Sequence, residues 1–148
     1  GEAVVVNAMK LFIGRPRPTL NDASTFLFPW GTYPVTGADG VVVHAHAWDL
    51  LAHTHAQLWS MPSAHTAFAV VMAVFIASLY RPIRWVAAFL ALTVAGGRLV
   101  FDAHWLTDVV AGAAVGGAVA WPIVTGYRGV ALAARLGIGG GDGRALKA

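Results

Sequence analysis

Three apolar stretches dominate the second half of the chain, at residues 64–80, 85–101 and 105–125, and Arg98 and Asp108 are their only charged side chains. Each is about 17–21 residues long, near the ~20 that an α-helix needs to cross a ~30 Å hydrocarbon core. The third contains "AGAAVGGAVA", a small-residue surface that lets another helix approach closely in lipid. "RPIR" at 81–84 makes the turn between the first two stretches. Upstream, "AVVVNAMKLFI" at 3–13 reads as the end of an apolar helix, stopped by Gly14, Pro16 and Pro18, since proline lacks the amide donor that a helix interior needs.

From Thr19 to Trp59 the chain loses this pattern and becomes rich in aromatic, Gly and Pro residues, with histidines at 44, 46, 53 and 55. A connection of that length is usually functional or covering. Within it, "AWDLLAHTHAQLW" predicts a short interfacial helix. Ser60 or Ser63 is expected to cap the following span, with Pro62 in its first turn. Asp102 is expected to cap the last. The Gly-rich end, 137–148, predicts a flexible tail after a single domain at 1–136. The expected fold class is all-α, a transmembrane helical bundle.

Composition agrees. Hydrophobic residues make up 57% and charged residues 11%, against roughly 25% charged in soluble domains. Cysteine is absent, which excludes disulfide and thiolate chemistry. The net charge of +3 rests on scattered residues and gives no nucleic-acid footprint. The chain opens on "GEAVVVNAMK", a helix entered part-way, with no signal-peptide pattern; further apolar spans are expected before residue 1.

The basic residues orient the spans. Arg81 and Arg84, and Arg128 and Arg135, fall on one side, which the positive-inside rule makes cytoplasmic. His65, Arg98 and His104 then gather on the extracytoplasmic side, together with Lys10, Arg15 and Arg17. Those three basic residues break the rule, and a functional anion explains them. Arg15 reads either as a phosphate contact or as a cation snorkelling to lipid head groups. Trp59, Trp85, Trp105 and Trp121 read as interfacial belt or packing residues.

His104 and Asp108 are four apart, so on a helix they share a face. The carboxylate can hold one imidazole nitrogen and raise the basicity of the other. The helix mouth at Ser63–His65 supplies free amides and a positive dipole end. Lys10, Arg17 and Arg98 supply positive charge, with the arginine forks suited to phosphate oxygens. This set fits metal-independent phosphoryl transfer: His104 attacks phosphorus, Asp108 holds it, and His65 protonates the leaving oxygen. Lys10, Arg17, Ser63, Ala64 and Arg98 cradle the phosphate.

Three segments carry this chemistry in order: "KLFIGRPRP" from Lys10 to Pro18, "PSAH" from Pro62 to His65, and "GRLVFDAHWLTD" from Gly97 to Asp108. Together they resemble the signature of the type 2 phosphatidic acid phosphatase superfamily, K-x6-RP, PSGH and SR-x5-H-x3-D. Ala64 stands where the family usually has Gly, and Gly97 where it usually has Ser. The resemblance covers residues 4–125 and implies a six-span membrane phosphatase, of which this chain supplies the end of the third span and the last three. It implies a lipid phosphate or diphosphate as substrate, membrane lipids as surroundings, no cofactor, and an active site on the extracytoplasmic side of a multi-pass cell-membrane protein. Two other readings stand beside it. A vanadate-dependent haloperoxidase would use the same cluster to hold vanadate. A non-enzymatic metal-binding membrane protein would use "HAH" at 44–46 and "HTH" at 53–55, where imidazoles two apart on a strand can share an ion.

Overall fold

The serine before the first apolar run sets where its helix starts. Ser63 is extended, and its hydroxyl oxygen accepts from the Thr66 amide at 3.5 Å, so α2 runs Ala64–Leu79. Ser63 is therefore the cap. Pro62 lies before it rather than in the first turn, and Ser60 is committed elsewhere. In a computed structural model that describes residues 1–37, 39–49 and 55–135, α1 is Glu2–Ile13, α3 is Arg84–Val100 and α4 is Leu106–Arg135. The described chain is mostly helical, as expected. The 137–148 tail lies outside the described residues.

Two helical segments, Arg81–Val100 and Leu106–Gly126, are long and apolar enough to cross a membrane. The expected first span is shorter: α2 has 16 residues, about 24 Å at 1.5 Å per residue. It is the central helix, packed on α4 and α3, with α1 against its side. A short 3-10 turn at Arg81–Ile83 links α2 to α3, where "RPIR" places it. α4 continues past Pro122 to Arg135.

The seam between α2 and α4 is made by glycine. An added Cβ at Gly112 would collide with the Ser63 carbonyl oxygen, and one at Gly116 with that of Ala67. The two glycines are four apart on α4 and their partners four apart on α2, so one face of each helix meets backbone to backbone.

The long connection is a small folded layer rather than an irregular cover. It contains a hairpin of β1, Tyr33–Thr36, and β2, Val42–Ala45, antiparallel with Tyr33 opposite Ala45 and Thr36 opposite Val42. The pattern carries its signal: Asp39-Gly40 turns, and Val41–Val43 is β-branched. Leu27, Val35, Ala45 and Leu58 form its core, with Leu20, Tyr33 and Trp59 against them. Asp22 accepts from Ser24 and Thr25. The Thr25 hydroxyl first, then the Thr25 and Ser24 amides, hold its carboxyl down at about 2. The expected helix at 47–59 is a turn at Ala47–Trp48 and a 3-10 segment at His55–Leu58; residues 50–54 lie outside the described residues.

Gly14 ties this layer to α1. Its φ of 54° and its amide bond to the Lys10 carbonyl close the helix, and a Cβ there would sit 2.8 Å from that of Ala47. Only glycine meets both demands. Trp59 and Trp105 are part-buried, with their indole N–H groups donating to Ala47 O and Pro16 O. Trp85 and Trp121 stand on the outer surface. The four tryptophans thus divide between packing and exposed outer positions.

The seam gives a paired test. Alanine for glycine in a helix interior normally stabilises by about 1 kcal/mol. Gly117→Ala, which meets open space, should raise the midpoint of thermal unfolding in detergent. Gly112→Ala should lower it, because the methyl group forces α4 off Ser63. An equal rise in both variants would refute the seam.

Candidate functional site

Asp108 is the third residue of α4, and its carboxylate turns back to the helix start. Oδ2 accepts the Trp105 amide at 2.9 Å, the reach-back half of a capping box. Trp105 therefore stands at the N-cap. Asp102, expected there, instead occupies a turn at φ 48°. The same Oδ2 accepts the Ser60 hydroxyl, and Oδ1 accepts Arg15 Nη1 at 2.5 Å. The Asp108 carbonyl takes the Ser63 amide at 2.9 Å. One residue thus joins the segments after α1, before α2 and at the start of α4.

Arg15 is buried rather than facing head groups, and its two terminal nitrogens are committed while Nε takes no partner among the described residues. Its Nη1 also donates to Thr107 Oγ1, and Nη2 donates to Ala23 O at 2.6 Å. The guanidinium stacks 5.0 Å from the Phe26 ring centroid and 5.7 Å from that of Trp105. Both readings offered by sequence are replaced by a third: Arg15 is the counter-ion of Asp108.

The remaining residues of the three motifs converge beside this hub. His104 and Arg98 meet because the chain turns sharply after α3, where the amides of Ala103 and His104 both donate to the Arg98 carbonyl, at 3.1 and 3.2 Å. Lys10 is buried in the last turn of α1 and donates to Trp59 O at 3.1 Å, which uses one of its three ammonium protons. The Arg17 amide donates to Gln57 O and its Nε to Ala56 O. Arg98, His104, Lys10 and Arg17 all act electrostatically on His65, which is exposed. Burial first, then the Arg98 charge, lowers the Arg17 guanidinium below its ordinary value, while Asp108 opposes them. Like charges held together in a part-buried space are relieved by an anion.

His104 is only 4% exposed. Its Nδ1 lies 3.7 Å from Asp108 Oδ2, an ion-pair distance rather than a hydrogen bond, and it takes no hydrogen-bond partner. The pair expected from the i, i+4 spacing is therefore present but loose, because Ser60 and Trp105 already occupy Oδ2. Arg98 Nε is buried and also takes no partner among the described residues.

At the mouth of α2 the Ser63 amide is spent on Asp108. The amides of Ala64 and His65 find no acceptor among the described residues, so these two are the open donors of the helix N-terminus. Ala64 is the first residue of α2, with no positive φ; its methyl group fits the backbone there. Gly97 faces open space. Below His65, an apolar groove of about 530 Å³ runs between α2 and α3, lined among others by Ala64, Phe68, Met72, Ile76, Leu90 and Val94.

Ser60 escaped the sequence reading except as a possible cap. No local signal marks it, since its partner is 48 residues away. Among the described residues, no group of three or more His, Asp or Glu converges in a way that could hold a metal ion. His46 stacks on Trp48 at 4.8 Å and lies with Nδ1 2.9 Å from Gly31 O. His53 lies outside the described residues.

A family model described as PAP2 superfamily matches residues 2–130, which takes in all three motif segments. No curated protein and no solved structure matches the chain.

Removing one partner of a buried ion pair costs about 3–5 kcal/mol. Arg15→Ala and Asp108→Ala should each lower stability by that order in denaturant unfolding. The double variant should cost clearly less than their sum. Additive losses would show that the two groups do not act as a pair.

Proposed function

The chain belongs to the PAP2 superfamily, whose members are in general phosphatases, and on that premise we propose that it hydrolyses a phosphate or diphosphate ester of a lipid. The observation that carries the reading is that Arg98, His104, Lys10 and Arg17 all lie near enough to His65 to act on its charge. Three cations and two imidazoles fit the in-line displacement of a phosphoryl group, which asks chiefly for charge stabilisation and positioning.

His104 Nε2 is the nucleophile, because Nδ1 faces Asp108. Its lone pair forms the N–P bond as the P–O bond to the lipid breaks, and His65 gives its proton to the departing oxygen. Water then attacks the phosphohistidine, surrenders a proton to His65, and releases phosphate with His104 restored. Lys10, Arg17, Arg98 and the amides of Ala64 and His65 hold the equatorial oxygens. Ser63 contributes as the cap that aims those amides. No proton-transfer step depends on Ala64 or Gly97.

Two features favour a lipid over a soluble ester. The groove is apolar and reaches Ala64 and His65 at the mouth of α2, so a hydrocarbon chain can lie in it with its phosphate at that mouth. The outer faces of α3 and α4 expose Trp85, Phe89, Leu92, Val110 and Trp121, a surface suited to lipid. In this reading the helices form a membrane bundle, and the site opens on the extracytoplasmic side, opposite Arg81 and Arg84. The substrate candidates are phosphatidate, phosphatidylglycerol phosphate and a polyprenyl diphosphate.

Phosphate release from these three lipids, and from glycerol 3-phosphate, tests the proposal in detergent with EDTA present. Activity should persist with EDTA and favour the lipids. His104→Ala should reduce it by at least about a thousandfold, and phosphate label trapped by rapid denaturation should sit on histidine. Loss of wild-type activity with EDTA, or an alanine variant as active as wild type, would overturn the mechanism.

A further inference from the structure

Arg15 lies between the two cations of the first motif segment, yet it points away from the phosphate cradle into a closed pocket. Its guanidinium meets Asp108, Thr107 and the Ala23 carbonyl, between the Phe26 and Trp105 rings. Asp108 in turn receives Ser60 and the Trp105 amide on the oxygen that faces His104. That oxygen is the His104 Nδ1 neighbour; Ser60 reaches it from before α2, and Arg15 holds the other oxygen from after α1.

We propose that Arg15 and Ser60 are positioning residues for catalysis: they clamp the Asp108 carboxylate in its ionised form and set how strongly it draws on the Nδ1 proton of His104. The proposal rests on His104 acting as the nucleophile. Its physical basis is a balance. A bare buried carboxylate beside His104 would bind the proton of the imidazolium tightly and keep Nε2 protonated. A carboxylate shared with a guanidinium, a hydroxyl and an amide draws less. It leaves the imidazole neutral with its proton on Nδ1, and Nε2 open to phosphorus. The looseness of the His104–Asp108 contact, 3.7 Å, follows from the same sharing. Apo-state contacts of this kind tighten when substrate arrives.

Arg98 from α3, Lys10 from α1 and Arg17 from the segment after it act, together with His104, on His65 of α2, and the Arg98 carbonyl takes the His104 amide. These groups are cationic or neutral. Among the described residues, Asp108 is the anion paired with His104. Arg15 holds its other oxygen and therefore bears on that pairing.

The test is the acid limb of kcat/KM against pH, where His104 must lose a proton to react. Arg15→Gln unmasks the Asp108 charge, so His104 holds its proton more tightly and the limb should move up by about one pH unit. Arg15→Lys keeps the charge and should return the limb most of the way. Ser60→Ala should move it in the same direction by less, and it carries the test if Arg15→Gln fails to fold. KM and inhibition by orthovanadate should stay near wild type in all three. An unmoved limb with a raised KM and weakened vanadate inhibition would make Arg15 a phosphate ligand and overturn the proposal. An unmoved limb with only a lower unfolding temperature would reduce the clamp to a structural role, also overturning it. The same shift is read without substrate by 15N NMR titration of the imidazoles, with His104 assigned by His104→Gln. A wild type inactive on every phosphate ester would sink the phosphatase reading, while this titration would still decide the clamp.

Discussion

A carboxylate removed from water must be paired where it lies, since an unpaired buried charge costs several kcal/mol. Asp108 is fully buried, and its partners come from three separate places: Arg15 after α1, Ser60 before α2, and Trp105 at the start of its own helix. Each partner stands beside a residue with chemistry. Arg15 lies between Lys10 and Arg17, Ser60 lies just before Ser63 and His65, and Trp105 follows His104. Satisfying this buried anion, the one found among the described residues, therefore assembles the cationic cluster as a consequence. The hub and the site are one structure.

The seam between α2 and α4 extends this constraint along the helices. Ser63 gives its amide to the Asp108 carbonyl, and its own carbonyl abuts Gly112. The mouth of α2 is thereby pinned from both sides, and the free amides of Ala64 and His65 stay aimed. The structured layer of the connection closes the other side, where Lys10 and Arg17 donate to the backbone of residues 56–59. Rigid support of this kind is what a site built for charge stabilisation requires, because its donors must be in place before charge develops.

Much of the helical frame was legible because its signals are local. Apolar length located α3 and α4, "RPIR" located the turn, and the small residues of α4 located the seam. The hairpin was missed although Asp39-Gly40 and the valines after it carry a turn-and-strand pattern; Pro34 and the surrounding glycines masked it. Asp102 has the residue type of a helix cap. The tertiary fold gave that task to Asp108, whose side chain reaches back three residues. Arg15 is illegible for a similar reason: its carboxylate partner is 93 residues away, and only the fold brings the two together.

What the sequence determined by itself was the inventory and its order. The three motif segments, their spacing along the chain and the helices that carry them follow from residue types and periodicity, which act over a few residues. The tertiary structure alone decided how the inventory is divided. Lys10, Arg17, Arg98, His65 and His104 gather in one cluster, while Arg15 and Ser60 leave it to hold Asp108. That division depends on contacts spanning 48 and 93 residues. Pairing at such separations is set by where helices pack and which charges become buried, and no local pattern encodes it.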